Sequence, residues 1–179
     1  MRRTIILTSF ALLTTAVAGA QAPAARVPGA RGDFLSSFGG IERKFTALAE
    51  AFPADKYDWR PGAGVRSVCE VLAHISAENY EMGKAFGSVV APKELANGET
   101  VKCLGDKAKT AAAMKASFAA IRTAVTNTKD ADLEAPFTLF GAAQARRTWL
   151  LATAEHAGEH LGQLIAYARV NGIVPPWSK

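Results

Sequence analysis

Residues 143–171 read AQARRTWLLATAEHAGEHLGQLIAYARVN, and this stretch decides the fold. Trp149, Thr153, His156, His160, Gln163 and Tyr167 recur at alternating steps of four and three residues. That period places them on one stripe of an α-helix, a mixed polar and aromatic stripe that should face the inside of a bundle. The expected helix runs from about Ala143 to Asn171. Gly172 stands in the position that closes a helix in the left-handed conformation, and Pro175-Pro176 follows.

Upstream, three more stretches carry the helical period. Phe34, Leu35, Phe38, Ile41, Phe45, Leu48 and Ala49 predict a first helix from about Asp33, an N-cap candidate, to Ala51, with Phe52-Pro53 ending it. Ser67 and Glu70 form the capping-box pattern ahead of Val68, Val71, Leu72, Ile75, Asn79, Met82 and Phe86, so the second helix spans about 67–86. Asp106 opens a third helix to about Thr128 through Met114, Phe118, Ile121 and Val125. Residues 87–105 and 129–141 are irregular, although Phe137 to Phe140 could make a small strand. Abundant alanine supports helix. Four helices with two long connections predict an all-α four-helix bundle.

The chain has 179 residues, 49% of them hydrophobic, enough for one domain with a core. Residues 1–20 read as a secretory signal peptide: Arg2 and Arg3, then an apolar run from Ile5 to Ala18, then Ala18-Gly19-Ala20 as the small-residue cleavage site. The run is short of the roughly 20 residues of a membrane span. The expected product is secreted or periplasmic, cleaved after Ala20, without a stable membrane anchor. Residues 21–32 are rich in Pro, Ala and Gly and read as a flexible linker before a domain at 33–179. Loss of Arg2 and Arg3 lowers the formal charge from +5 to +3, and the remaining bases are interspersed with acids, so nucleic acid is not an expected partner. Cys69 and Cys103 are either a disulfide, as an oxidising compartment permits, or a buried cysteine and a loop thiol.

The chemistry lies in the histidines. His156 and His160 sit one helical turn apart on one face, the spacing that lets two imidazoles reach one metal ion. His74 falls mid-way along the second helix, where a bundle can bring it opposite the fourth. A single helical histidine is ordinarily a tolerated polar residue. All three histidines of the chain falling on inward positions instead predict a metal site on His74, His156 and His160, with coordination positions left open for water or substrate. Imidazole suits zinc, nickel, copper and iron alike, so the residues by themselves leave the ion open. Glu70, Glu78 and Glu81 lie within about 40° of His74 on the helical wheel. Glu70 and Glu78 are therefore candidate catalytic or ligand-orienting carboxylates, Glu70 competing with its capping role and Glu81 fitting a solvated edge. Trp149, Thr153, Gln163 and Tyr167 are expected to line the pocket. His156 to His160 also matches the H-x-x-E-H pattern of inverted zinc peptidases, with Glu159 as base, but no glutamate follows His160 to complete that ligand set.

These residues resemble the DinB-like family of metalloenzymes. The resemblance rests on Tyr57-Asp58-Trp59-Arg60-Pro61, on Ser67 to Ile75 around His74, on Glu155 to Leu164 around the histidine pair, and on Tyr167 to Pro176, within about residues 33–177. It implies a four-helix bundle of unusual connection order, often a homodimer, with nickel or zinc on the residues that here are His74, His156 and His160. A metal bound there would activate water or bind a substrate atom directly, so the expected function is a metal-dependent hydrolase or group transferase acting on a small molecule. Characterised relatives use the cytosolic thiols mycothiol or bacillithiol, from which an exported member would be separated. A non-catalytic exported metal-binding protein is the alternative.

Overall fold

The computed structural model describes residues 27–87 and 89–178. The expected signal peptide and most of the expected linker lie outside the described residues. Four helices dominate: α1 (Gly29–Ala51), α2 (Val68–Gly83), α3 (Lys107–Asn127) and α4 (Arg146–Val170). The fold is the expected all-α helical bundle, with one small two-stranded sheet. None of the described helices is long and apolar enough to cross a membrane.

Each helix packs on two others. α1 and α2 both lie against α3 and α4, so α1 and α2 occupy opposite corners of the bundle, as do α3 and α4. Successive helices across a diagonal cannot be joined by a tight turn, which accounts for the long connections after α1 and α3; α2 and α3 are neighbours, and the long segment between them carries Gly98 to His74 and Cys103 to Cys69. The arrangement also brings α2 against α4, the helices that carry the histidines. Phe38 and Phe45 of α1 meet Phe118 of α3 at ring-centroid distances of 5.0 and 5.5 Å. Leu72 and Ile75 of α2 and Leu164 of α4 are fully buried in the same core. α2 is the central element, with every residue except Glu81 buried.

The helix ends follow local chemistry. The capping box opens α2: the Glu70 amide donates to Ser67 Oγ, and the Ser67 amide to the Glu70 carboxylate at 3.0 Å. Asp106 caps α3 through the Lys109 amide at 2.7 Å. α4 closes with Gly172 at φ +71°, its amide donating to Arg169 and the Ile173 amide to Ala168.

Three boundaries differ from expectation. α1 starts at Gly29, not Asp33, and takes residues 29–32 from the expected linker. Arg31 fastens that extra turn by pairing with Asp130 at 2.6 Å and donating to the Thr126 carbonyl at 2.9 Å. α2 ends at Gly83 rather than Phe86, because residues 84–86 tighten into turns bonded three residues back. α4 begins at Arg146 because residues 143–145 are not helical. They belong to strand β2 (Ala142–Ala145), which pairs antiparallel with β1 (Pro136–Leu139). Phe140 and Gly141 turn the hairpin, both at positive φ, the conformation a two-residue hairpin loop demands.

Cys69 and Cys103 are joined in a disulfide that ties the α2–α3 connection to the first turn of α2 across 34 residues. Closing a loop of that length removes unfolded-chain entropy worth about 3–4 kcal/mol. The Cys69→Ala/Cys103→Ala double variant is expected to lose about 3 kcal/mol of unfolding free energy in a denaturant titration, and the addition of a reducing dithiol should leave that variant unchanged.

Candidate metal centre

His74 projects from the middle of α2 and His156 and His160 from successive turns of α4. Their ring centroids lie 5.2 Å (His74–His156), 4.6 Å (His74–His160) and 4.7 Å (His156–His160) apart. One nitrogen from each ring falls within 4.8 Å of the other two, so this group could hold a metal ion.

The surroundings fix which nitrogen each ring can offer. His74 Nδ1 lies 2.8 Å from the Gly98 carbonyl, which can only accept, so Nδ1 carries the proton and Nε2 keeps its lone pair. A longer relay acts on His160. The Arg66 carbonyl accepts from the Tyr167 hydroxyl at 3.1 Å, Tyr167 accepts from Gln163 Nε2 at 2.8 Å, and Gln163 Oε1 lies 2.8 Å from His160 Nδ1. Because the chain ends on a carbonyl, it is fully satisfied only when every donor points toward Arg66. His160 Nδ1 is therefore the donor to Gln163, and His160 Nε2 is left free. His156 Nε2 is buried and has no hydrogen-bond partner among the described residues. A buried orphan nitrogen is costly unless something binds it. Beside two imidazoles with free Nε2 lone pairs, it is the observation that best fits a cation.

All three imidazoles are held below their ordinary pKa. Burial is the largest cause for each, and the Arg66 charge lowers all three further. His156 falls from 6.5 to about 4, with His160 and His74 adding to the burial effect. The rings are thus neutral near pH 7, the protonation state a metal ligand needs.

The other sequence candidates divide. Glu78, one turn beyond His74, is buried, and with His74 and Glu99 forms a second group close enough to share a cation. Its carboxyl pKa is raised, first by burial and then by Glu99 and Glu81. Glu70 is not part of either group: its carboxylate takes the Ser67 amide and pairs with Arg60 at 3.0 Å, so it fastens the entry to α2. Gln163 and Tyr167 form the relay just described. Trp149 donates to the Phe137 carbonyl at 3.0 Å and holds the hairpin, and Thr153 bonds back to Trp149 at 2.7 Å. Neither is hydrogen-bonded to a histidine among the described residues. Glu159 is exposed, so the H-x-x-E-H base has no place. Sequence reasoning missed Gly98, Glu99 and Arg66, which reach the site from irregular segments without periodicity. Only the helix-breaking Gly98 and the position of Arg66 next to the Ser67 cap gave any signal.

These pKa shifts have a consequence for the metal-free protein. A histidine whose folded pKa lies below its unfolded value binds its proton more readily in the unfolded chain. Stability is therefore undiminished above pH 6.5 and falls as pH drops toward about 4. Thermal melts of metal-free protein should be flat near pH 7–8 and shift down through that window. The His156→Leu variant should show a shallower decline, and an unchanged slope would contradict the assignment.

The sequence profile of the DinB superfamily matches residues 39–164. No curated protein matches the chain in sequence. Two crystal structures share the fold. One is a DinB-like protein of Bacillus cereus, with a TM-score of 0.68, 18% identity, and coverage of 80% of this chain and 93% of that one. The other is a DinB-like protein of Bacillus subtilis, with a TM-score of 0.64, 20% identity, and coverage of 82% and 97%. The helical bundle, the histidine group at its α2–α4 contact and the profile match over most of the chain agree: this protein belongs to the DinB superfamily.

Proposed function

We propose that this protein is an exported metal-dependent enzyme, a hydrolase or group transferase acting on a small molecule, with His74, His156 and His160 as the ligands of one divalent transition-metal ion. The orphaned His156 Nε2 beside two imidazoles with committed Nδ1–H groups carries this reading. Three neutral nitrogen donors suit zinc or nickel. When bound, such an ion supplies Lewis acidity toward an oxygen or sulfur atom of the small molecule.

The remaining roles belong to the chain. The Gly98 carbonyl orients the His74 ring. Gln163, backed by Tyr167, orients His160 and keeps its proton on Nδ1. Glu78, with its raised pKa, is the carboxyl group placed to hold or accept a proton beside His74. The Cys69–Cys103 disulfide supports an oxidising compartment, in keeping with the secretory reading of residues 1–20.

Protein purified without an affinity tag and stripped of metal should gain thermal stability on addition of Zn²⁺ or Ni²⁺, saturating at one equivalent. His160→Ala should abolish the gain. Gln163→Leu should weaken metal affinity about 10- to 100-fold while leaving the helical content intact. A full gain in the His160→Ala variant would refute the ligand set.

A further inference from the structure

A cleft of about 480 Å³ opens over Gln163, next to the histidine group, and its charged lining is uneven. Arg60, Arg66 and Lys102 face it, against Glu70 and Glu99. Arg60 is bound into the scaffold, whereas Lys102 is 82% exposed and only lies near Glu70. The Glu70 side chain is only 12% exposed, caps α2, pairs with Arg60 at 3.0 Å and lies 3.8 Å from Lys102. Arg60 also donates to the Val65 carbonyl at 3.0 Å.

Arg66 is different. Its one carboxylate partner among the described residues is Glu99, at 3.2 Å, whose side chain is 80% exposed. An ion pair so exposed is worth little, about 0–1 kcal/mol, and gives way to a better-placed anion. The backbones on both sides are nevertheless held. The Arg66 carbonyl accepts from Tyr167, Gly98 is bonded to His74, and the Glu99 amide donates to Asn97 at 3.1 Å. The Glu99 side chain, by contrast, is mostly exposed, and its one hydrogen bond among the described residues is the one from Arg66. The Arg66 charge is felt at His74, His156, His160 and Glu78, which places it within electrostatic range of the whole group.

Resting on the enzyme reading above, we propose that this cleft seats a carboxylate of the small-molecule substrate, gripped by the Arg66 guanidinium in place of the Glu99 carboxylate. The substrate class is then a small organic acid, oriented so that the rest of the molecule extends over Gln163 toward the histidines. Guanidinium and carboxylate match as planar two-point partners, which Lys102 cannot reproduce. Glu99 acts as a tethered stand-in for the substrate anion and lowers its affinity until displaced.

Succinate, with neutral succinamide as control, tests the proposal by calorimetric titration of the full folded chain at physiological ionic strength, both metal-free and Zn²⁺-loaded. Succinate should bind saturably in both forms and succinamide in neither. Arg66→Gln should weaken succinate about tenfold or more, and Glu99→Gln should tighten it. Glu94→Gln makes the same charge change outside the cleft and should do nothing. A residue that merely stabilised the fold through the Arg66–Glu99 pair would give losses in both variants, so opposite signs are the discriminating readout. Equal succinate affinity in wild type and Arg66→Gln, or weaker binding in Glu99→Gln, would overturn the proposal. Arg66-dependent binding by a protein that takes up no metal would leave the carboxylate seat standing and refute the metal centre alone. Metal uptake with succinate binding indifferent to Arg66 would do the reverse.

Discussion

Helix α2 carries His74, Ser76, Glu78 and Asn79 through the middle of the bundle, and burying those polar groups is the constraint on which the rest of the structure turns. A buried polar group without a partner costs several kcal/mol in an apolar surrounding. Ser76 answers this within its own helix, bonding back to the Leu72 carbonyl at 2.6 Å. Asn79 reaches across to Ser117 of α3 at 3.1 Å. His74 needs something outside the helices. It finds the Gly98 carbonyl, on the α2–α3 connection that is stapled to α2 by the Cys69–Cys103 bond. The α2–α3 connection, the disulfide and the histidine site are thus parts of one solution.

α4 supplies the other half under a similar constraint. His156 and His160 sit at the α2–α4 contact with pKa values held down by burial and by the Arg66 charge. The relay from His160 through Gln163 and Tyr167 ends at the backbone of the segment leading into α2. One end of this chain of bonds sets the tautomer of a histidine, and the other positions Arg66 at the mouth of the cleft. Site geometry and cleft geometry are therefore not independent.

Much of this was legible in the sequence because it obeys a period. The stripe from Trp149 to Tyr167, the Ser67–Glu70 capping box and the Gly172 stop define elements through local rules, and the histidine spacing follows from them. One strand of the hairpin at 136–145 was legible, at Phe137 to Phe140, but its partner was hidden: Ala142 to Ala145 carries no alternation of apolar and polar residues, and helix propensity favours alanine over the strand that pairing with 136–139 imposes. α1 began early for a tertiary reason, since its first turn is held by Arg31 reaching Asp130 and Thr126 nearly a hundred residues away. The partners of the histidines were the hardest to read. Gly98 acts through its carbonyl, which every residue possesses, and Arg66 and Glu99 meet across 33 positions that no local pattern links. Glu70 was ambiguous because one position on a helical wheel suits both the cap and the site, and its carboxylate goes to the Ser67 amide and Arg60.

The account stands on three imidazoles converging on one ion. X-ray absorption at the metal edge, on protein purified without an affinity tag, tests this most directly when paired with elemental analysis of the same sample. The account predicts about one equivalent of a divalent transition metal, with three imidazole nitrogens in its inner sphere and no sulfur. Protein that carries no stoichiometric metal and acquires none from Zn²⁺ or Ni²⁺, or metal ligated by fewer than three imidazoles, would contradict it.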